Sequence, residues 1–547
     1  MDDAPAAIVK AKGGRGAFLA HFFIVLPVVT LCVVVYAPRY FSGPPPYYGG
    51  GANDVGGISA PRPSSMTRTS SSSSAHLGGL GYVAGRRDAD EDDQQLGVGD
   101  GGALPQQVVL DNQVGSPCSS LPNHTICCDR SDYHSDVCFM AGDVRTDAAS
   151  LALLLFPPRA ASSAPEPPAA EERIRPYTRK WDAYITKTIH EVTLRVARPE
   201  EAAAAAHRCD VRHDAPVLVV TAGGYSHNMF HVFNDGFLPL WLTAQHLRRR
   251  AVLAVLSYSP RWAGTYGEIL AGLSRYHAID LLRDKRTHCF PGAVVGTRYH
   301  DYLAVNSTRL RDNKTIADFH DFLAGVYSDD DVRNDKAAGG SSSSRRPEMA
   351  WYERRRPRLG IVSRKGRRVV ENQAAVAQLA ASVGFDVDIM ETANGAPLSA
   401  VYASVSSYDA LVGVHGADLT TFLFLRPGRA ALAQIAPLGI TMLSRNLFGV
   451  PAARMGLHYV QYDVSARESS LSRRYPLDHV VVADPARARR EQGKQEWELV
   501  EHVYLRGQNV SLDLGRFRET LARIHSRLKE QQQGHASRSS PDASPQI

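Results

Sequence analysis

The sequence predicts an α/β fold of two facing Rossmann-like domains, and three observations carry that expectation. An apolar run at residues 215–221 ends in Gly223-Gly224 and leads into a stretch with helical spacing, the pattern of a buried strand turning sharply into a helix. Further on, the pattern repeats as strand 359–363, helix 373–383, strand 385–390, helix 398–405, strand 410–414, short helix 418–424 and strand 430–435. That alternation is the order of a doubly wound domain, whose ligand sits beyond the carboxyl ends of its strands. Between the two halves lies a low-complexity break at 334–346, with Gly339-Gly340 and four serines. Two such domains leave a cleft where two substrates can meet.

Taken in order, the chain of 547 residues begins with a tail at 1–16 and an almost uncharged segment at 17–37, close to the roughly 20 residues a bilayer requires. Lys10, Lys12 and Arg15 precede it and Arg39 alone follows, so the tail is expected to be cytosolic and the segment an uncleaved anchor. A signal peptide is the competing reading. Residues 38–115 read as a disordered stem, with Pro44-Pro45-Pro46, a serine run at 70–74 and an acidic run at 88–93. The N-terminal α/β domain is expected at 116–345, with strands at 251–257 and 278–282 beside 215–221 in a parallel sheet. The C-terminal Rossmann-like domain follows at 346–530 and a disordered tail at 531–547. Anchor, stem and lumenal body make a single-pass type II layout suited to the Golgi membrane.

Two further features agree with a secretory lumen. Asn123, Asn306, Asn313 and Asn509 each open an N-glycosylation triplet. With Cys32 inside the anchor, Cys118, Cys127, Cys128, Cys138, Cys209 and Cys289 remain, an even number suited to disulfides, although the pairing stays open. A zinc site at 118–138 is the alternative, poorly served by adjacent Cys127-Cys128. The net charge of +6 is small and spread over separate arginine runs without interleaved aromatics, which argues against nucleic acid as a partner.

The candidate chemistry clusters at three places. After the Gly223-Gly224 turn, Met229, Phe230, Phe233, Phe237, Leu240 and Trp241 form an apolar stripe, while Asn228, His231 and Asp235 fall together on the opposite face at about 100° per residue. Gly224 and Tyr225 line the same turn. At the end of strand 410–414, His415, Gly416 and Ala417 open a helix whose free N–H groups and dipole favour a phosphate. After strand 359–363 come Arg364 and Arg368, cations able to clamp a diphosphate. Asp386 and Asp388, a conceivable metal pair, fall inside a strand and read as structural.

These segments resemble the glycosyltransferase 61 family, particularly plant Golgi enzymes that decorate xylan. The resemblance runs in order from the Cys128-Asp129-Arg130-Ser131 region through Ile174–Lys180, Gly223-Gly224-Tyr225, Phe230-His231, Asp235, Ser363-Arg364, Arg368, Gly413–Ala417 and Gln434 to Glu468-Ser469-Ser470 and Gln508-Asn509-Val510. It implies a GT-B architecture, a UDP-sugar held mainly by the C-terminal domain, Glu468 included, and an acceptor held by the N-terminal one. It also implies inversion at the anomeric carbon with no cofactor and no obligatory metal. The expected reaction is transfer of arabinofuranose or xylose from a UDP-sugar to xylan, in a Golgi membrane shared with other transferases. An inverting transfer needs a base for the acceptor hydroxyl, and His231 and Asp235 both qualify. N-glycan core β-1,2-xylosyl transfer is an alternative within the family, and an inactive glycan-binding scaffold an alternative outside catalysis. The scaffold is raised by Asp418, where the family has glycine, and by Thr421, where it has asparagine. Asp418 either caps the helix or repels a bound diphosphate.

Overall fold

The computed structural model describes residues 109–157, 171–203, 207–337, 356–391 and 397–539. The expected anchor and nearly all of the stem lie outside these residues, and among the described residues no helix is long and apolar enough to cross a membrane. From Ala103 onward the chain forms one compact unit.

Two sheets organise it. The first begins with β1 (Thr125–Asp129), β2 (Val137–Asp147), β3 (Ala152–Phe156), β4 (Glu171–Ile174) and β5 (Val192–Val196). It continues with β6 (Val211–Arg212), β7 (Val217–Thr221), β8 (Val252–Leu256), β9 (Ile279–Asp280) and β10 (His288–Gly296). Their order is β4-β5-β3-β2-β10-β7-β8-β9, with β1 on β2 and β6 on β10. Strands β10, β7, β8 and β9 run parallel, as the sequence predicts for this part. The rest corrects the expectation of a parallel sheet, because β2 pairs antiparallel with β1, β3 and β10. Cys128 and Cys138 are direct cross-strand partners in β1 and β2 and form a disulfide, with Cys118–Cys127 and Cys209–Cys289 as the others.

The second sheet holds β11 (Arg358–Ser363), β12 (Asp386–Glu391), β13 (Ala410–Val414), β14 (Ala431–Ala436) and β15 (His458–Asp463), all parallel, in the order β12-β11-β13-β14-β15. The expected elements recur here within a residue or two, because β11, β13 and β14 are short apolar runs bounded by turn residues. The order reverses between β11 and β13. In an open α/β sheet the crevice at that reversal, beyond the carboxyl ends, is where ligands bind.

Alternation along the strands explains the layering. In β7, Leu218 and Val220 face a central core while Val217 and Val219 face an outer one; in β13, Leu411 faces the central core and Val412 the far side. The central core takes side chains from both sheets and from the helices Pro260–Leu273 and Leu398–Ser406. Helices Gln373–Val383 and Leu514–Ser539 cover the outer face of the second sheet.

Three boundaries differ from the sequence reading. The body starts before residue 116: Asp111 is buried and its carboxylate meets the buried Arg298 at 2.5 Å, a partner 187 positions away that local composition does not reveal. Helix Ile316–Ala337 runs into the low-complexity break, and helix Leu514–Ser539 runs into the expected disordered tail. Both extensions are rich in Asp, Arg, Lys or Gln, which helices tolerate when an apolar stripe upstream anchors them.

Candidate active site

Strand β7 delivers the chain to the Gly223-Gly224 turn, where the Gly223 N–H donates to Thr221 Oγ1 at 3.0 Å. Gly224 has φ +65, and a Cβ there would lie 2.8 Å from Tyr177 Cζ, so the Tyr177 ring can lie against the turn only because the residue is glycine. The Asn228 side chain accepts the Phe230 N–H at 3.0 Å and caps the helix. Asn228 therefore starts the helix through its side-chain oxygen. The helix is α over Met229–His231, widens to a π turn over Val232–Phe237 and returns to α over Leu238–Ala244. Such π turns are rare and recur at functional sites.

The expected polar face is not solvated. Asp235 and Asn234 are buried as fully as the apolar stripe. His231 Nδ1 lies 2.5 Å from Asp235 Oδ2, and Arg179 Nε donates to the same oxygen at 2.9 Å. Asn234 Nδ2 donates to Asp235 Oδ1 at 2.6 Å, and Asn234 Oδ1 is itself fixed by the Leu303 N–H at 2.8 Å. Burial pushes the Asp235 carboxyl up, but the bonds from His231 and Arg179 outweigh it and hold the group below the usual carboxylate range. Burial and the Asp235 charge raise the nearby Tyr177 and Tyr299 hydroxyls, which stay protonated. With Asp235 saturated, the side chain left to do proton chemistry is His231: a fifth of it is exposed and its Nε2 has no hydrogen-bond partner among the described residues. The Tyr225 ring lies 4.7 Å from the His231 ring. Tyr177, His231 and Asp235 line one pocket with Gly223 and Ser226.

The second group sits at the reversal of the second sheet. Strand β11 ends at Ser363, and the following turn carries Arg364 and Arg368, the latter in the left-handed region at φ 54. Strand β13 ends at Val414 and is followed by His415 and Gly416, then the 3-10 helix Ala417–Phe424. The sequence reading thus placed these residues at the carboxyl ends of neighbouring strands, and the sheet order makes them the two sides of the crevice. His415 is buried, its Nδ1 3.0 Å from Gln434 Nε2. Burial first, then Arg368 and Arg364, hold its pKa well below 6.5, so the ring is neutral near pH 7. Arg368 has no carboxylate partner, and its buried Nε is unbonded among the described residues. Burial, and after it Arg364, lowers it to about 10. The nearby Asp418 charge offsets only part of this, so an anion in the crevice would relieve the rest.

Asp418 corrects the capping reading. It does not cap the helix, since Gly416 is the cap residue and no side chain bonds there. Its carboxylate instead meets Arg364 Nη1 at 2.7 Å. Gly416 leaves room for this pair, because a Cβ there would fall on the Arg364 guanidinium. Glu468, expected at the nucleotide-sugar, is committed elsewhere. Its buried carboxylate accepts from the Ser465 N–H and hydroxyl, the Asp513 N–H, Tyr462 and Arg516. It is a structural hub with no acceptor capacity left for a ligand. Asp388 likewise accepts the Tyr408 hydroxyl at 2.5 Å. Asn123, Asn306 and Asn313 are exposed, whereas Asn509 is half-buried and its side-chain oxygen accepts the Val369 N–H at 3.1 Å.

The two groups adjoin. The Phe448 ring lies 5.6 Å from Phe230, the neighbour of His231, and 5.3 Å from His415. The helix turn Met229–His231 packs directly on Ala417–Phe424.

A glycosyltransferase 61 family model matches residues 229–432, a span that opens two residues before His231 and closes inside β14, so His231, Asp235, Arg364, Arg368 and His415 fall within it while Tyr177 and Arg179 precede it. The xylan glycosyltransferase MUCI21 of Arabidopsis thaliana is 35% identical over 414 residues, covering 76% of this chain and 82% of the relative. The chain belongs to the glycosyltransferase 61 family. The β-1,2-xylosyltransferase XYXT1 of Oryza sativa subsp. japonica is 35% identical over 412 residues, 73% of this chain and 84% of the relative. The α-1,3-arabinosyltransferase XAT3 of the same species is 33% identical over 397 residues, 72% of this chain and 64% of the relative. The protein is therefore a glycosyltransferase.

For this glycosyltransferase 61 member, Arg179 and Asn234 are the site residues that residue-by-residue reading missed. Arg179 lies in the Ile174–Lys180 segment, which carried the resemblance but no role, since its partner Asp235 is 56 positions away. Asn234 sits between the apolar positions of the helix, where spacing alone assigns it no role.

Proposed function

We propose that the protein is an inverting pentosyltransferase of GT-B type that moves arabinofuranose or xylose from a UDP-sugar to xylan during cell-wall synthesis. The reading includes a single-pass type II position in the Golgi membrane and no requirement for a metal. One observation carries it: an imidazole oriented by a buried carboxylate stands next to a crevice with two guanidinium groups, the two separated by the single ring of Phe448. His231 Nε2 takes the proton of the acceptor hydroxyl as that oxygen attacks the anomeric carbon opposite the diphosphate. The bond from the anomeric carbon to the diphosphate oxygen breaks, and UDP leaves with both electrons. Arg364, Arg368 and the N–H groups that open Ala417–Phe424 offset its charge. Asp235 holds Nδ1 protonated and stabilises the imidazolium that forms, while Arg179 keeps Asp235 ionised, the division of labour known from hydrolase triads. Xylan and the pentose are supported by the names of the relatives, among which both xylosyl and arabinosyl transfer occur.

The deciding experiment offers UDP-xylose and UDP-arabinofuranose, each with xylan oligomers and with N-glycans, and identifies the labelled product. Product on xylan oligomers alone supports the proposal. Product on N-glycans alone replaces the acceptor, and absence of UDP binding up to millimolar concentration replaces catalysis with a binding role.

A further inference from the structure

Among the described residues four aromatic side chains are exposed: Tyr133, Trp181, Tyr184 and Trp497. Three of them gather beside the His231 pocket. Tyr133 and Trp181 are stacked, 6.0 Å apart with an interplanar angle of 19°. Tyr184 lies 4.9 Å from Tyr225, which lies 4.7 Å from His231. Water-exposed rings are costly to leave uncovered, and a patch of them marks a surface that something covers.

The segment that carries Trp181 and Tyr184 is tied to the proposed base at both ends. Arg179 reaches Asp235 at 2.9 Å, and Asp182, which accepts the Tyr184 N–H and caps the helix Ala183–Thr188, also accepts the Tyr225 hydroxyl at 3.0 Å. The rings are thus held in fixed register to His231. The cations that flank Tyr133 and Trp181 in the chain are paired within the protein. Lys180 meets Asp136 at 2.7 Å, and Arg130 meets Asp136 at 2.7 Å and Glu172 at 2.8 Å. A surface of fixed aromatic faces with hydrogen-bonding groups between the rings, the Asp182 carboxylate among them, suits a neutral, hydroxyl-rich ligand with apolar C–H faces. It does not suit an anion.

We propose that Trp181, Tyr184 and Tyr133 form a stacking platform for the backbone of a neutral polysaccharide acceptor, which leads the chain to His231 and sets the preference for long acceptors. The proposal rests on xylan as the acceptor.

The test uses the full chain and xylan oligomers of increasing length, with binding measured directly and acceptor KM measured with the accepted UDP-pentose. The wild type is expected to bind long oligomers and to show a KM that falls with length. Trp181→Ala with Tyr184→Ala should raise KM for the long oligomers by about tenfold, removing most of the length dependence. Trp181→Phe should restore part of it. Trp497→Ala, an exposed aromatic outside the cluster, serves as the control and should match the wild type. Unchanged melting temperature and UDP affinity show that the double variant is folded. If the wild type gains with length and the double variant gains equally, the platform is overturned while the acceptor stands. If the wild type neither binds nor glycosylates xylan oligomers of any length, the acceptor reading falls and the platform for it falls too.

Discussion

Removing the Asp418 charge should tighten UDP binding. Asp418 and Arg364 meet at 2.7 Å, with 28% and 13% of their side chains exposed. Two unit charges at that distance attract by about 1.5 kcal/mol at the dielectric of water and about 6 kcal/mol at an effective value of 20. Desolvation and side-chain ordering cancel much of this, leaving about 1–2 kcal/mol for a pair so partly exposed. An entering diphosphate must give up that much to take Arg364 from Asp418, or must share the cation with a like charge. Either way Asp418→Asn frees the guanidinium, and 1.4 kcal/mol is a factor of ten in affinity. Calorimetry with UDP should therefore give a Kd about tenfold lower for Asp418→Asn. The gain should shrink in the double variant with Arg364→Ala, because the cation being released is then absent. High salt should reduce the difference, since the pair is within reach of solvent ions. Unchanged or weaker UDP binding by a normally folded Asp418→Asn would refute the reasoning and make Asp418 a support that aims Arg364 at the phosphate.

His231→Ala should cut turnover by about two to four powers of ten with little change in UDP affinity, measured by steady-state kinetics beside calorimetry. Arg368→Met should weaken UDP binding by about tenfold or more yet leave the unliganded protein as stable or more so, because it removes a cation that desolvation and Arg364 disfavour; a melting curve with and without UDP checks both halves. Asp235→Asn should cost about 3–5 kcal/mol near neutral pH by leaving Arg179 buried and unpaired. Because the folded-state pKa of Asp235 is depressed, the wild type keeps this stabilisation above the ordinary value of 3.8 and loses it as pH falls through the folded pKa. The stability gap between wild type and variant should therefore narrow below about pH 4 in denaturant titrations; a gap that stays constant to lower pH would show that the ion pair is not its source.

The second sheet was legible as far as β14 because its central strands β11, β13 and β14 are self-contained apolar runs, whereas the edge strand β15 is mixed and half-buried. The first sheet was legible only from β7 onward. Strand β2 mixes buried Phe139 and Met140 with Asp143 and Arg145, and takes three partners; that identity is set by distant chain, β10 above all, and not by local pattern. The site divided the same way. His231 and Asp235 are one helical turn apart and His415 ends a strand, so spacing alone brought them forward. Arg179 and the Asp418–Arg364 pair depend on contacts across 56 and 54 positions, which periodicity does not encode. Glu468 is a polar residue in the right neighbourhood whose bonding capacity proves to be spent inside the fold.

The central core has a mechanical consequence. Phe233 from the first half meets Phe424 from the second at 6.0 Å, and Tyr327 meets Tyr402 at 5.2 Å, so the two sheets are joined by aromatic packing and not by a wet seam. Lobes joined by a small polar interface swing freely, whereas swinging these would expose ring faces to water. Opening and closing by rigid rotation is accordingly expensive for this molecule. Substrates must thread into a standing groove, order must come from the loops and side chains at its rim, and heat should melt both halves in one transition.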